Sequence, residues 1–210
     1  MKKPETQKLS VDGPQGQLEA LLSIPSHPSG YIAVVCHPHP LYGGTMDNKV
    51  VHYTARALLD VGVVVLRFNF RGVGRSSGTF DEAVGEIEDC RAAVDWMTQQ
   101  FEGQQLILAG FSFGSYIAAR VAKQVSPAAL ITVAPAVNLY DFNAIDSLQC
   151  PWLLIQGDAD EVVPPESVRQ WLEQFDKVSD VVWMPEAGHF FHGRLLELAA
   201  NISRWLDNNL

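Results

Sequence analysis

A serine hydroxyl is a weak nucleophile until a base removes its proton, so three partners matter: a constrained serine, a histidine and a carboxylate. The segment Gly110-Phe-Ser-Phe-Gly114 supplies the first. It follows the apolar run 106–109 and precedes a helical pattern over 113–124, so Ser112 falls in a strand–turn–helix context. Glycines on both sides let the strand and helix backbones pass closely, and the hydroxyl projects at the positive end of the following helix. Two later segments offer the partners. Gly157-Asp-Ala-Asp-Glu-Val-Val-Pro164 is a short acidic loop after the apolar run 152–156, with Asp158 and Asp160 competing to be the acid. Pro185-Glu-Ala-Gly-His189 follows the run 181–184; His189, directly after a glycine, competes with His192. Serine, acid and histidine in that chain order are the parts of a nucleophilic acyl-transfer site.

Such parts meet only if the chain brings several loops to one edge. The pattern alternates strand and helix for nearly its whole length. Strands are expected over 17–24, 31–36, 61–68, 106–109, 129–134, 152–156 and 180–184. Helices are expected over 47–59, opened by Asp47, over 81–100, entered through Thr79 or Asp81, and over 113–124, 165–175 and 194–208. The β-branched run 61–68 reads as a strand buried on both faces. Repeated strand–helix–strand implies one doubly wound, mostly parallel α/β domain over 1–210, with helices on both faces. The first two strands, separated by the turn-rich segment 25–30, read as a hairpin-like pair adding antiparallel strands at one edge. In such sheets ligands bind beyond the carboxyl ends of the strands, where the three segments above lie.

Five separated motifs then carry a resemblance: Cys36-His-Pro-His-Pro-Leu-Tyr-Gly-Gly44, Arg67-Phe-Asn-Phe-Arg-Gly-Val-Gly-Arg-Ser76, Gly110 to Gly114, Gly157 to Pro164 and Gly188-His189. Over roughly residues 17 to 208 the chain resembles the α/β-hydrolases, specifically the small, lidless bacterial hydrolases related to dienelactone hydrolase. The resemblance implies an α/β-hydrolase fold without a cap domain, with Ser112 as nucleophile, His189 as general base and Asp160 as the acid that orients it. It implies an oxyanion hole of two backbone N–H groups. One belongs to Phe113; the other comes from the loop after 31–36, where Pro38 and Pro40 have none to give, leaving His39 or Leu41. The family spacing favours His39, and Gly43 and Gly44 let that loop turn close to the nucleophile. The function implied is hydrolysis of a small-molecule ester or thioester through an acyl-enzyme, with no cofactor. The alternatives are a hydrolase-fold binding or scaffold protein with an unused triad, or an acyltransferase or peptidase run by the same residues.

Other residues read as structural. His37 is expected to scaffold its loop rather than join His39, His189 and Asp160 around zinc, since nothing supplies a tetrahedral set as well as the triad supplies serine chemistry. Arg71, in the glycine-rich segment 68–78, reads as an ion-pair partner. That segment fails as a nucleotide loop because no helix opens on its glycines. Trp96, Trp171 and Trp205 read as packing residues, and His192 as a pocket-rim or helix-entry residue. Only 17 residues separate Ala134 from Trp152, too few for a substantial lid. The site is therefore expected to be open and shallow, with Tyr42, Phe111, Phe113, Phe190, Val162 and Val163 making it apolar.

Composition narrows the partners. The 210 residues carry 15 Lys and Arg against 24 Asp and Glu, a net charge of −9, which disfavours nucleic acid and anionic membranes. The apolar runs 61–66 and 128–137 fall short of the ~20 residues of a membrane span. No apolar stretch follows Lys2 and Lys3, and the three cysteines, Cys36, Cys90 and Cys150, have no metal spacing. A cytoplasmic protein with buried, reduced thiols, monomeric or homodimeric, is the expectation.

Overall fold

The computed structural model describes residues 4–145, 148–175 and 178–210. Eight strands form one sheet in the order β1-β2-β4-β3-β5-β6-β7-β8. They are β1 (Glu5–Gly13), β2 (Gly16–Ile24), β3 (Tyr31–Cys36), β4 (Val64–Phe68), β5 (Gln105–Phe111), β6 (Ala129–Val133), β7 (Trp152–Gly157) and β8 (Asp180–Met184). The helices are α1 (Lys49–Asp60), α2 (Val84–Gln100), α3 (Phe113–Val125), α4 (Pro165–Gln174) and α5 (Leu195–Asn209). From β4 to β8 every neighbouring pair is parallel; β1–β2 and β2–β4 are antiparallel.

The strands are apolar at successive positions because both faces are covered. On β3, Ile32, Val34 and Cys36 enter a core shared with α2, α3 and α4, while Ala33 and Val35 enter a second core shared with α1 and α5. On β4, Val64, Leu66 and Phe68 join the first core and Val65 the second. This alternation fixes the sheet between its helix layers. A one-residue slip of any strand would exchange its two side-chain sets.

The edge differs from the expected one. Segment 5–13, not anticipated as a strand, pairs with β2 along its length, and β2 pairs on its other side with β4. The strands over 16–24 and 31–36 are therefore not a hairpin, since β4 lies between them. Two helix starts also shift. Asn48, not Asp47, caps α1, its side chain accepting from Val50 N–H at 2.8 Å. The start of α2 moves to Val84 because Glu82 and Ala83 take positive φ (50° and 73°). The buried Glu86 carboxylate turns back to accept from the N–H groups of Asp81 and Ala83, each at 2.9 Å.

Between β6 and β7 the described residues hold only a short 3-10 turn, Phe142–Ala144, and no cap domain. Among the described residues no helix is long and apolar enough to cross a membrane. Cys36 and Cys90 are free and buried, their sulfurs 3.4 Å apart; Cys150 is free but only half-buried, unlike the expectation. Burial pushes the Cys36 thiol well above its ordinary range. Arg71 is an ion-pair residue, as read. Its guanidinium is buried against Asp89, with Nη2 to Oδ1 at 2.8 Å and Nε to Oδ2 at 3.0 Å, and lies 3.4 Å from Glu88.

Candidate active site

The parallel strands β5, β6, β7 and β8 point their carboxyl ends to one edge, so the loops that follow them are spatial neighbours. Ser112 stands alone between β5 and α3, at φ 55° and ψ −117°, a conformation that costs energy in a non-glycine residue. The surroundings hold it there. Its N–H donates to Val133 O at 2.9 Å, and Ser115 Oγ donates to Gly110 O at 2.7 Å and lies 3.0 Å from Val133 O. The helix start packs directly on β3: a Cβ at Gly114 would fall 2.4 Å from Cys36 O and 2.6 Å from His37 O. Glycine there lets the loop after β3 lie against the first turn of α3.

The hydroxyl meets an imidazole 77 positions away in sequence. His189 Nε2 lies 3.1 Å from Ser112 Oγ, and His189 Nδ1 lies 2.9 Å from Asp160 Oδ2. All three side chains are largely buried. Asp160 is itself held: its Oδ1 accepts from Val162 N–H at 2.9 Å and Val163 N–H at 2.7 Å, and its Oδ2 accepts from Gln156 Nε2 at 3.0 Å. The loops carrying Asp160 and His189 meet because Gly157 has no side chain; a Cβ there would fall 2.1 Å from Ala187 O. With Nδ1 donating to the carboxylate, Nε2 is free to accept the serine proton.

The rivals take other places. Asp158 accepts from Glu186 N–H and so braces the loop before His189. His192 is exposed, with its ring 5.9 Å from that of Phe190. His37 uses both nitrogens, Nδ1 donating to Pro38 O at 2.6 Å and Nε2 accepting from Phe70 N–H at 3.0 Å. Neither nitrogen has a lone pair to spare for a metal, and burial lowers its pKa to about 4. Leu41 N–H is engaged by His39 Nδ1 at 3.2 Å, which leaves the N–H of His39 as the loop's available donor. The His39 ring sits 5.1 Å from that of Phe113, so the two expected donor residues are neighbours. Phe113 N–H, the first of α3, has no acceptor within the helix.

Comparison with known proteins accords with this layout. Residues 34–146 match the family described as serine aminopeptidase, S33. An α/β serine hydrolase homologue from Coxiella burnetii is 45% identical, with a TM-score of 0.93 over 95% of this chain and 97% of that one. The chain belongs to the α/β serine hydrolases. A member of that group from Xanthomonas campestris, described as without lid, is 42% identical with a TM-score of 0.92, over 97% of this chain and 94% of that one. An uncharacterized protein of Rickettsia prowazekii is 37% identical over 209 residues, 95% of this chain and 88% of its own.

In this hydrolase the expected pocket residues divide into two sets. Tyr42, Val162 and Phe190 are exposed at the mouth, Tyr42 most of all at 87%, and the loop of Tyr42 also exposes Leu41. Phe111 is a correction: at 1% exposure it offers no surface to a substrate. Its ring packs 4.9 Å from the His189 imidazole and so helps fix that ring. Phe113 and Val163 are likewise buried. Sequence reading missed Gln156. Its position directly before the acidic loop, as a polar residue ending an apolar strand, was the available signal.

Proposed function

We propose that this hydrolase cleaves esters or thioesters of small molecules through an acyl-enzyme on Ser112. The observation that carries the reading is the unbroken chain from Ser112 Oγ through His189 to Asp160, at 3.1 and 2.9 Å, on a serine held in a strained turn. His189 Nε2 takes the hydroxyl proton as Oγ adds to the substrate carbonyl. Asp160 keeps the imidazole in the Nδ1–H tautomer and stabilises the imidazolium. The N–H groups of Phe113 and His39 receive the developing oxyanion. Collapse of the tetrahedral intermediate expels the alcohol or thiol, protonated by His189, and leaves acyl-Ser112. Water, deprotonated by the same nitrogen, then releases the carboxylic acid and restores the serine.

The mouth supports apolar acyl or aryl groups. Tyr42, Val162 and Phe190 offer apolar surface beside Ser112, with no cap to enclose a substrate. A peptidase reading has one observation in its favour: the exposed Glu161 carboxylate accepts from His189 N–H at 3.3 Å, at the edge where a substrate amine would lie. Turnover of aminoacyl amides ahead of acyl esters, lost in Glu161→Gln, would favour it over ester hydrolysis.

The primary test is labelling with a fluorophosphonate, located by peptide mass spectrometry. Wild type should be phosphonylated on Ser112, Ser112→Ala should not react, and His189→Ala should react far more slowly. An unlabelled, folded wild type would sink the proposal.

A further inference from the structure

A cavity of about 610 Å³ lies away from Ser112, between the β1–β2 edge and α1. Its origin is in the topology. Helix α1 packs over β3, β4 and β5, while β2 and β1 extend past it, and the sheet face beyond the helix forms a hollow. Ala55 and Leu59 of α1, with Pro25, give it apolar walls. Arg67 and Ser23 give it a polar floor.

Arg67 is the unusual element. On β4, Val64, Leu66 and Phe68 serve the other core, so the alternate position 67 faces the α1 side, where Val65 is apolar. Its side chain is 9% exposed. Nη1 donates to Met46 O at 2.7 Å and lies 3.6 Å from the exposed carboxylate of Asp47. Among the described residues, its Nε and Nη2 have no hydrogen-bond partner. A guanidinium carries five N–H donors, and neither Nε nor Nη2 of Arg67 is among the described polar atoms sealed from solvent, so both are open to a ligand. Ser23, also buried, sits on the same face of the adjoining strand, since Leu21 pairs with Arg67 and Ser23 with Val65.

We propose that this cavity binds a small amphipathic monocarboxylate, its head group on Arg67 and its chain along Ala55 and Leu59. Carboxylate geometry matches the two unused donors of a guanidinium, which form parallel, charge-assisted bonds. A volume near 610 Å³ suits a ligand of medium-chain fatty-acid size. A phosphate dianion fits less well. Of the other charged groups lining the hollow, Arg56 is an exposed helix residue 3.8 Å from Asp60, whereas Arg67 is buried and its contact with Asp47 through Nη1 leaves Nε and Nη2 for an anion. Burial lowers the pKa of His52, so it enters as a neutral hydrogen-bonding group.

Calorimetric titration of the intact protein with octanoate tests this, beside 1-octanol and inorganic phosphate. Octanoate should bind saturably, at least roughly tenfold more tightly than either control. Arg67→Gln should weaken octanoate binding at least tenfold. That variant also loses the bond to Met46, so Thr6→Trp provides a second arm. Thr6 is an exposed strand residue lining the cavity, and an indole there takes up part of the hollow while leaving Arg67 and Ser112 intact. Thr6→Trp should lose octanoate binding and keep wild-type fluorophosphonate labelling. No saturable binding in wild type, octanoate binding unchanged in Thr6→Trp, or octanol or phosphate binding as tightly would each overturn the proposal.

Discussion

The mouth around Ser112 and the hollow beside α1 are built on opposite plans. At the mouth, constraint is high. Each reacting group is fixed by a second one: Ser112 by Val133 O and the packing of Gly114, Asp160 by three donors, and His189 by Asp160 and the face of Phe111. The hollow has volume and a cation, but among the described residues none of its hydroxyls bonds a histidine, and Arg67 keeps donors free. Acyl transfer needs preorganised donors and a short proton path, whereas binding needs surface to bury and one matched charge.

Breaking the mouth should leave the hollow untouched. Ser112→Ala should lower ester turnover by roughly 10³-fold or more, with octanoate binding and melting temperature unchanged, as steady-state assays, calorimetry and a thermal scan would report. Loss of octanoate binding in that variant would merge the two sites and destroy the comparison.

The second-largest effect tests the claim that constraint, not contact with substrate, sets the mouth's activity. Gln156 is buried beneath Asp160 and donates to it at 3.0 Å and to Val163 O at 3.2 Å. Gln156→Leu removes these bonds without touching the mouth. Turnover should fall roughly tenfold to a hundredfold with KM nearly unchanged, the size of a lost hydrogen bond to a charged group. An unchanged kcat would show that the backbone N–H groups of Val162 and Val163 suffice.

Acidification separates the regions more gently. Burial depresses the His37 pKa to about 4, below the ordinary value near 6.5, so the unfolded chain binds more protons than the folded one between those limits. The stabilisation is fully present above about pH 6.5 and is lost as pH falls through 4. His39 and His52, also lowered by burial, act with the same sign. Melting temperatures from pH 7.5 to 4 should therefore fall on acidification, less steeply in His37→Gln. Parallel curves for the two proteins would remove His37 as the cause. Smallest of all should be the rim: Tyr42→Ala and Phe190→Ala should shift stability by no more than about 0.5 kcal/mol. Both should raise KM a few-fold for long acyl esters and hardly at all for acetates, as a p-nitrophenyl ester series would show.

Where the sequence was misread, the reason lies in tertiary pairing. Segment 5–13 is polar and mostly exposed, so it lacks the apolar pattern of the inner strands, yet its ladder with β2 is complete. Asp47 and Asn48 are equally good cap residues on paper. The nearness of Arg67 to Asp47 and the reach of Asn48 to Val50 N–H decide between them. Phe111 looked like pocket lining because it adjoins Ser112, but the alternation of β5 turns it into the core beneath His189.

What the sequence by itself determined is whatever rests on local chemistry. The β-branched runs could only be buried strands, the glycines around Ser112 marked a tight strand-to-helix turn, and the prolines at 38 and 40 removed themselves as donors. Tertiary structure decided which distant pieces meet. The parallel order from β5 to β8 carries Ser112, Asp160 and His189 to one edge, and the close backbone approach at Gly157 brings the last two within hydrogen-bonding distance. It also decided that β1 and β2 run beyond α1 and leave a hollow over a buried arginine. The physical reason is one of range. Turn preferences and side-chain alternation act over a few residues, whereas strand order and layer packing join residues dozens of positions apart and are settled only when both cores close.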